Sequence, residues 1–248
     1  MAKTKGAAAK RVKPAAKPKP TPKPILVAAR PRRPPAPSLP PPPPPPAPPV
    51  IRDELAADRD VARLLRYGEK FGARKIDIRW LPMQLPVASG ALAIGDPAAG
   101  KSWRTLERPV PPGSFRAMLS VARDGDAQQL AALVIHVGRP PIARWTIAHP
   151  TGAKRVKTAD QAPRFAVTSG WLAIADAGAS LPATIAVAPA GALDAVDVPL
   201  TDGRHVLAVP CKPGEYLAYW GIDPSDKPVC VVVDLGAFTA KDWRAKPV

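Results

Sequence analysis

The chain has 248 residues, with 36 Lys and Arg against 20 Asp and Glu, 36 Pro and only 2 Cys, giving a formal net charge of +16. Two cysteines without C-x-x-C spacing exclude a disulfide framework and a cysteine zinc site, and no apolar run approaches the roughly 18 residues of a membrane helix. The charge is lopsided: residues 1–50 hold eleven Lys and Arg, half of the prolines and no Asp or Glu, so subtracting eleven from +16 leaves about +5 for the rest.

Residues 1–50 lack the large apolar side chains that offset the entropy of ordering, and are expected to be a disordered basic, proline-rich tail and linker. Pro40 to Pro46 should form a polyproline II spacer of roughly 20 Å at about 3.1 Å per residue. Residues 1–33 resemble the Lys/Ala/Pro tails of histone H1-like proteins, which implies weak binding to nucleic acid or anionic surfaces through counterion release. No aromatic residue interleaves these cations, so base stacking is not available to them. The apolar piece Ile25 to Ala29 is too short for a secretory h-region, so the expected location is the cytoplasm.

Residues 51–84 read as a helix followed by a strand. Ile51 to Tyr67 carries an apolar stripe at helical spacing (Ile51, Leu55, Ala62, Leu65), early acids, late arginines and Gly68 as a stop. Beyond Gly72 the period changes to two, with Ile76, Ile78 and Trp80 alternating with Lys75, Asp77 and Arg79. Short strand patterns separated by Gly, Pro and Asp turns follow: Ala91 to Ile94, Phe115 to Val121, Leu130 to Val137, Ala143 to Ile147, Phe165 to Val167, Trp171 to Ile174, Ile185 to Val187, His205 to Cys211, Tyr216 to Ile222 and Val229 to Leu235.

A repeat underlies these strands. Val87 to Asp96 reads VASGALAIGD and Val167 to Asp176 reads VTSGWLAIAD, and Pro112-Gly113 and Pro213-Gly214 precede similar strands. The expected fold class is therefore mainly β: an internally duplicated, two-lobed antiparallel sandwich or barrel-like domain, with one N-terminal helix and the disordered tail. The lobes would be 85–163 and 164–248, packed as one compact domain.

Gly95 to Ser102 also spells G-x-x-x-x-G-K-S, the P-loop pattern, in which backbone amides cradle phosphate, the Lys reaches its oxygens and a helix begins at Lys-Ser. Gly95, Gly100, Lys101 and Ser102 are thus candidate nucleotide-binding residues, and Val231 to Asp234 would pass for a Walker B strand. The context argues against them. Only six residues separate Ser102 from Pro109, too few for the required helix, and the second repeat copy keeps Asp176 but lacks Gly-Lys-Ser.

Asp96, Asp176, Asp223 and Asp234 end strands or open turns, the ordinary turn chemistry of Asp, and the first two with Asp234 are candidates for a carboxylate site. Pro213 to Pro224 is the most aromatic stretch. Tyr216 and Trp220 should share one strand face with Tyr219 on the other, as core by default, and with Asp223 they form an interface candidate if exposed. His136, His149 and His205 have no metal-ligand spacing. No catalytic set, metal site or cofactor is implied.

The ordered motifs Ser89 to Pro97, Val110 to Ala117, Ala143 to Ala148, Phe165 to Ala177 and Gly214 to Gly236 resemble the bacterial family catalogued as domain of unknown function 4241. The likeness spans Leu85 to Phe238. Two places depart from it: Thr168-Ser169-Gly170 stands where the family tends to have Asp-Ala-Gly, and Cys211-Lys212-Pro213-Gly214 replaces a Ser-Gly-Trp-Gly-Asp-Gly-like segment. The resemblance implies a small cytoplasmic interaction or immunity-type protein, with an unknown protein partner. A P-loop-like hydrolase and a nucleic-acid-associated protein acting through its tail are the alternatives.

Overall fold

The computed structural model describes residues 51–52, 59–139, 141–154, 156, 161–178 and 181–244. The expected tail and its Pro40 to Pro46 rod lie outside these residues. The described part is mainly β, as its alternating patterns require, and belongs to one compact unit.

Two sheets form the frame. The larger has nine strands: β1 (Ile51–Arg52), β2 (Lys70–Phe71), β3 (Arg74–Val87), β6 (Gly113–Asp124), β7 (Ala127–His136), β8 (Arg144–Ile147), β9 (Phe165–Val167), β13 (Gly214–Ile222) and β14 (Pro228–Asp234). Its order is β1-β8-β13-β14-β7-β6-β3-β2, with β9 also on β13. The smaller sheet has five, in the order β11 (Val196–Pro199), β12 (His205–Pro210), β10 (Trp171–Asp176), β4 (Leu92–Gly95) and β5 (Arg104–Thr105). All pairings are antiparallel except β1 with β8. Both sheets mix strands from 85–163 with strands from 164–248.

Burial explains why several strands read as continuous apolar runs. The sheets face each other across a core containing Leu92, Ile94, Leu119, Leu133, Ile174 and Trp220. The other face of the large sheet is covered too, by Val61, Leu64, Phe238 and Trp243 packed with Phe71, Met118, Val134 and Val232 of the sheet. On the outer face of the small sheet, Ile185 packs with Ala173, Ala175, Val206 and Ala208. A sheet buried on both faces loses the apolar-polar alternation of a half-solvated one.

Over its described residues, the expected N-terminal helix Ile51 to Tyr67 is not what forms. Ile51 and Arg52 pair in parallel with Arg144 and Trp145, and the described helical part is a single 3-10 turn, Val61–Leu65. In that tighter turn residues three apart eclipse, which sends Val61 and Leu64 together into the core. Arg63 is buried beside them: its guanidinium lies 4.0 Å from the Phe71 ring centroid and its Nε donates to Glu69 Oε1 at 2.8 Å. This tertiary anchoring overrides the local helical pattern. The turn ends at Arg66, already extended at φ -102, rather than at Gly68; Gly68, at φ +76, lies beyond it and its amide donates to Ile76 O. Ile185 to Val187 is no strand either; it crosses the small sheet, and Ile185 N donates to Pro97 O. The only described α-helix is α1 (Ala240–Arg244), a segment without a sequence signal.

Candidate functional site

The two copies of the repeat lie side by side. β4 and β10 pair antiparallel with Ile94 opposite Ile174 and Ala93 opposite Ala175. Each copy opens on a Ser-Gly turn whose glycine, Gly90 or Gly170, has positive φ (+77 and +85), and whose serine hydroxyl bonds two residues on. Each copy ends on a buried Asp that binds the turn of the other. Asp96 Oδ2 accepts from Thr168 N at 2.7 Å, Thr168 Oγ1 at 2.9 Å and Ser169 N at 2.9 Å. Asp176 accepts from Ala88 N at 2.9 Å, from Ser89 N and from the Ser89 hydroxyl.

The surroundings follow the same pattern. Val110 N donates to Gly90 O, and Cys211 N donates to Gly170 O. Leu85 pairs with Phe115, and Phe165 pairs with Tyr216. Burial alone would raise the pKa values of Asp96 and Asp176, but hydrogen bonds from the opposing turns, with Ala98 N and Gly178 N, outweigh it: Asp96 falls to about 2 and Asp176 is lowered likewise. Charged carboxylates that bind backbone amides in this way act as turn clamps.

The P-loop residues sit directly after this clamp, and their amides are used internally. Ala98 N donates to Asp96 Oδ1, Ala99 N to Asp96 O, Gly100 N to Ala183 O and Ser102 N to Ala99 O. Ser102 Oγ accepts from Asp96 N at 2.7 Å, and a 3-10 turn of Gly100–Ser102 stands where a P-loop needs a helix. The glycines have a steric reason to be present. A Cβ on Gly95 would come within 2.9 Å of Trp103 Cα, and one on Gly100 within 2.5 Å of Ala183 Cα. Lys101 is exposed.

The aromatic candidates are core. Tyr216 and Trp220 face the inter-sheet core while Tyr219 faces the other, the division that strand alternation predicts. All three are buried, so the interface proposed for them is corrected: aromatic burial here seals two cores. Asp234 lies apart from the other carboxylates. It is 3% exposed, pairs with Arg59 at 2.8 Å and has its pKa raised by burial. Cys211 and Cys230 are free, and burial pushes the Cys230 thiol up to about 12. Among the described residues no group of three or more His, Cys, Asp or Glu is placed to hold a metal. No helix there is long and apolar enough to cross a membrane.

Asp223, the fourth interface candidate, marks a different place. Its Oδ1 accepts from Ser225 N at 2.7 Å and Lys227 N at 2.8 Å, shaping the β13–β14 turn. That turn walls a cleft of about 650 Å³ with Arg108, Pro109, Val110, Val137, Arg139 and Val229 among its lining. Asp226, at the tip, holds φ +64, a left-handed conformation uncommon outside glycine. Its carboxylate is paired by Arg108 at 3.4 Å and by Arg144 from β8. Arg139 and Lys227 line the cleft without an ion-pair partner among the described residues. Sequence reasoning missed these cations. They stand at 108, 139, 144 and 227 with no shared spacing, and only the Asp223-Pro224 turn signal pointed toward them.

With this geometry, the fold defines a mainly β domain of two face-packed sheets, sealed at its repeat seam and open at a cationic cleft beside the β13–β14 turn. No protein-family model, curated protein or solved structure matches the chain.

Proposed function

We propose that the protein is a non-enzymatic bacterial interaction module of the cytoplasm, which docks an acidic segment of a partner protein in the cleft beside the β13–β14 turn. The observation that carries this reading is the surplus of positive charge there. Arg108, Arg139 and Lys227 line the cleft and Arg144 reaches it, against Asp223 and Asp226. Val110, Val137 and Val229 supply apolar walls for the partner's side chains. An open cleft with apolar walls and a few convergent charges is a common form of binding site. The likeness to family 4241 favours an immunity-type role, with a toxin as partner.

The test places a photo-crosslinker at Pro109 in the full chain, in cells of the source bacterium. A single acidic partner should be captured by the wild type and lost with Arg139→Glu and Lys227→Glu combined. Capture unchanged by that double reversal would remove the cleft from recognition. A second reading, nucleic-acid association through residues 1–33, is supported by the eleven cations without an acid in residues 1–50. Deleting residues 1–50 should then lower DNA affinity and flatten its salt dependence.

A further inference from the structure

At the far edge of the large sheet a row of like charges runs across three strands. Lys70 on β2 is the register partner of Lys75 on β3, and Lys75 is in turn the register partner of Arg123 on β6. Like charges directly opposite one another destabilise a sheet, so such a row needs a reason. Asp77 offsets part of it, through a 2.7 Å ion pair with Arg123. Lys70 and Lys75 have no ion-pair partner among the described residues.

These side chains line a concavity of about 510 Å³, in which Asp77 is the sole acidic residue. Its rim carries Tyr67, 79% exposed and the most solvent-exposed large aromatic described. Adjacent strands lie about 4.8 Å apart, so the cations span roughly 10 Å. An aromatic face beside a track of cations is the arrangement that holds single-stranded nucleic acid: the ring stacks a base, and the cations follow the phosphates.

We propose that this edge binds a segment of single-stranded nucleic acid, with a base stacked on Tyr67 and the backbone on Lys70, Lys75 and Arg123. The site is separate from the β13–β14 cleft and does not depend on the partner reading. It also differs in kind from the N-terminal cations, because residues 1–50 contain no aromatic side chain and can contribute charge alone.

That difference supplies the test. At fixed salt, the full-length protein is titrated with a short oligothymidylate and with its abasic analogue of equal length. The wild type should bind the base-bearing strand at least about five-fold tighter, the low end expected for one stacked base. Tyr67→Ala should abolish the discrimination and Tyr67→Phe should keep it. Lys75→Glu should lower the salt slope for oligothymidylate by about 0.7 or more, the share of one phosphate contact on a single strand. Equal affinity of the wild type for the two strands overturns the proposal, as does discrimination that survives Tyr67→Ala. Inorganic polyphosphate that competes as well as oligothymidylate also overturns it, because the edge would then be a plain anion surface.

Discussion

At the β4–β10 seam both oxygens of each buried carboxylate face an amide or hydroxyl, whereas beside the β13–β14 turn cations stand in excess of carboxylates. At the seam, the sequence supplies for each acid a turn in the other copy that satisfies it, and nothing is left over to bind a ligand. At the turn, one carboxylate in a left-handed backbone occupies two arginines while Arg139 and Lys227 remain unpaired by any described residue. Both regions began as the same sequence feature, an Asp at the end of a strand. What separates structure from recognition is whether the polar groups that gather there are used up.

The largest effect should come from removing a clamp. Asp96→Ala leaves Thr168 N and Ser169 N without their acceptor and is expected to cost about 3 kcal/mol, read as a lowered denaturation midpoint; Asp176→Ala should cost a similar amount. If either variant unfolds like the wild type, the seam is not the closed region described. Asp234→Asn should cost less, because burial already disfavours its charge.

A smaller loss, of about 2 kcal/mol for Asp96, is expected on acidification. Its folded pKa of about 2 lies below the unfolded value of about 3.9, so its contribution is complete above about pH 4 and disappears as the pH falls toward 2. Asp176 shifts in the same direction, and Asp234, being raised, in the opposite one. Denaturant melts between pH 2 and pH 6 should therefore show the decline in the wild type and a flatter profile in Asp96→Asn.

Gly100→Ala should destabilise by roughly 1–3 kcal/mol, because its Cβ would meet Ala183 backbone atoms at 2.5–3.0 Å, while Lys101→Ala, on the exposed neighbour, should leave stability within about 0.5 kcal/mol. This pair inverts what a phosphate loop would show, where the lysine matters most. A small stability change, about 1 kcal/mol or less, is also expected for Asp226→Gly: relief of the left-handed backbone offsets the loss of exposed ion pairs. The same variant should strengthen anion binding at the cleft, measured by titration with inorganic phosphate.

The strand framework was legible because alternation and turn residues are local signals. Phe165–Val167 has the boundaries its pattern predicts, and the ends of β6, β7, β13 and β14 differ by at most three residues. The helix was misread because the force that shapes Val61–Leu65 is Arg63 stacked on Phe71, a contact no window of sequence displays. The P-loop pattern misled for a related reason: Gly95 and Gly100 are required by backbones that approach from elsewhere in the chain. Of the site, only Asp223 carried a readable signal. Arg108, Arg139, Arg144 and Lys227 come together through β-sheet order, and the Lys70, Lys75 and Arg123 row exists only through register.

The centring of the seam on Ile94 and Ile174 has a kinetic consequence. Both strands contain Leu-Ala-Ile, and an antiparallel pair centred on its isoleucine accepts an identical strand almost as readily as its mate. Within one chain β4 must wait for a partner eighty residues further on, whereas in concentrated solution a neighbouring molecule offers its own β4 at once. Refolding should slow and lose yield as protein concentration rises, and the by-product should be a strand-exchanged dimer joined through matching copies of the repeat.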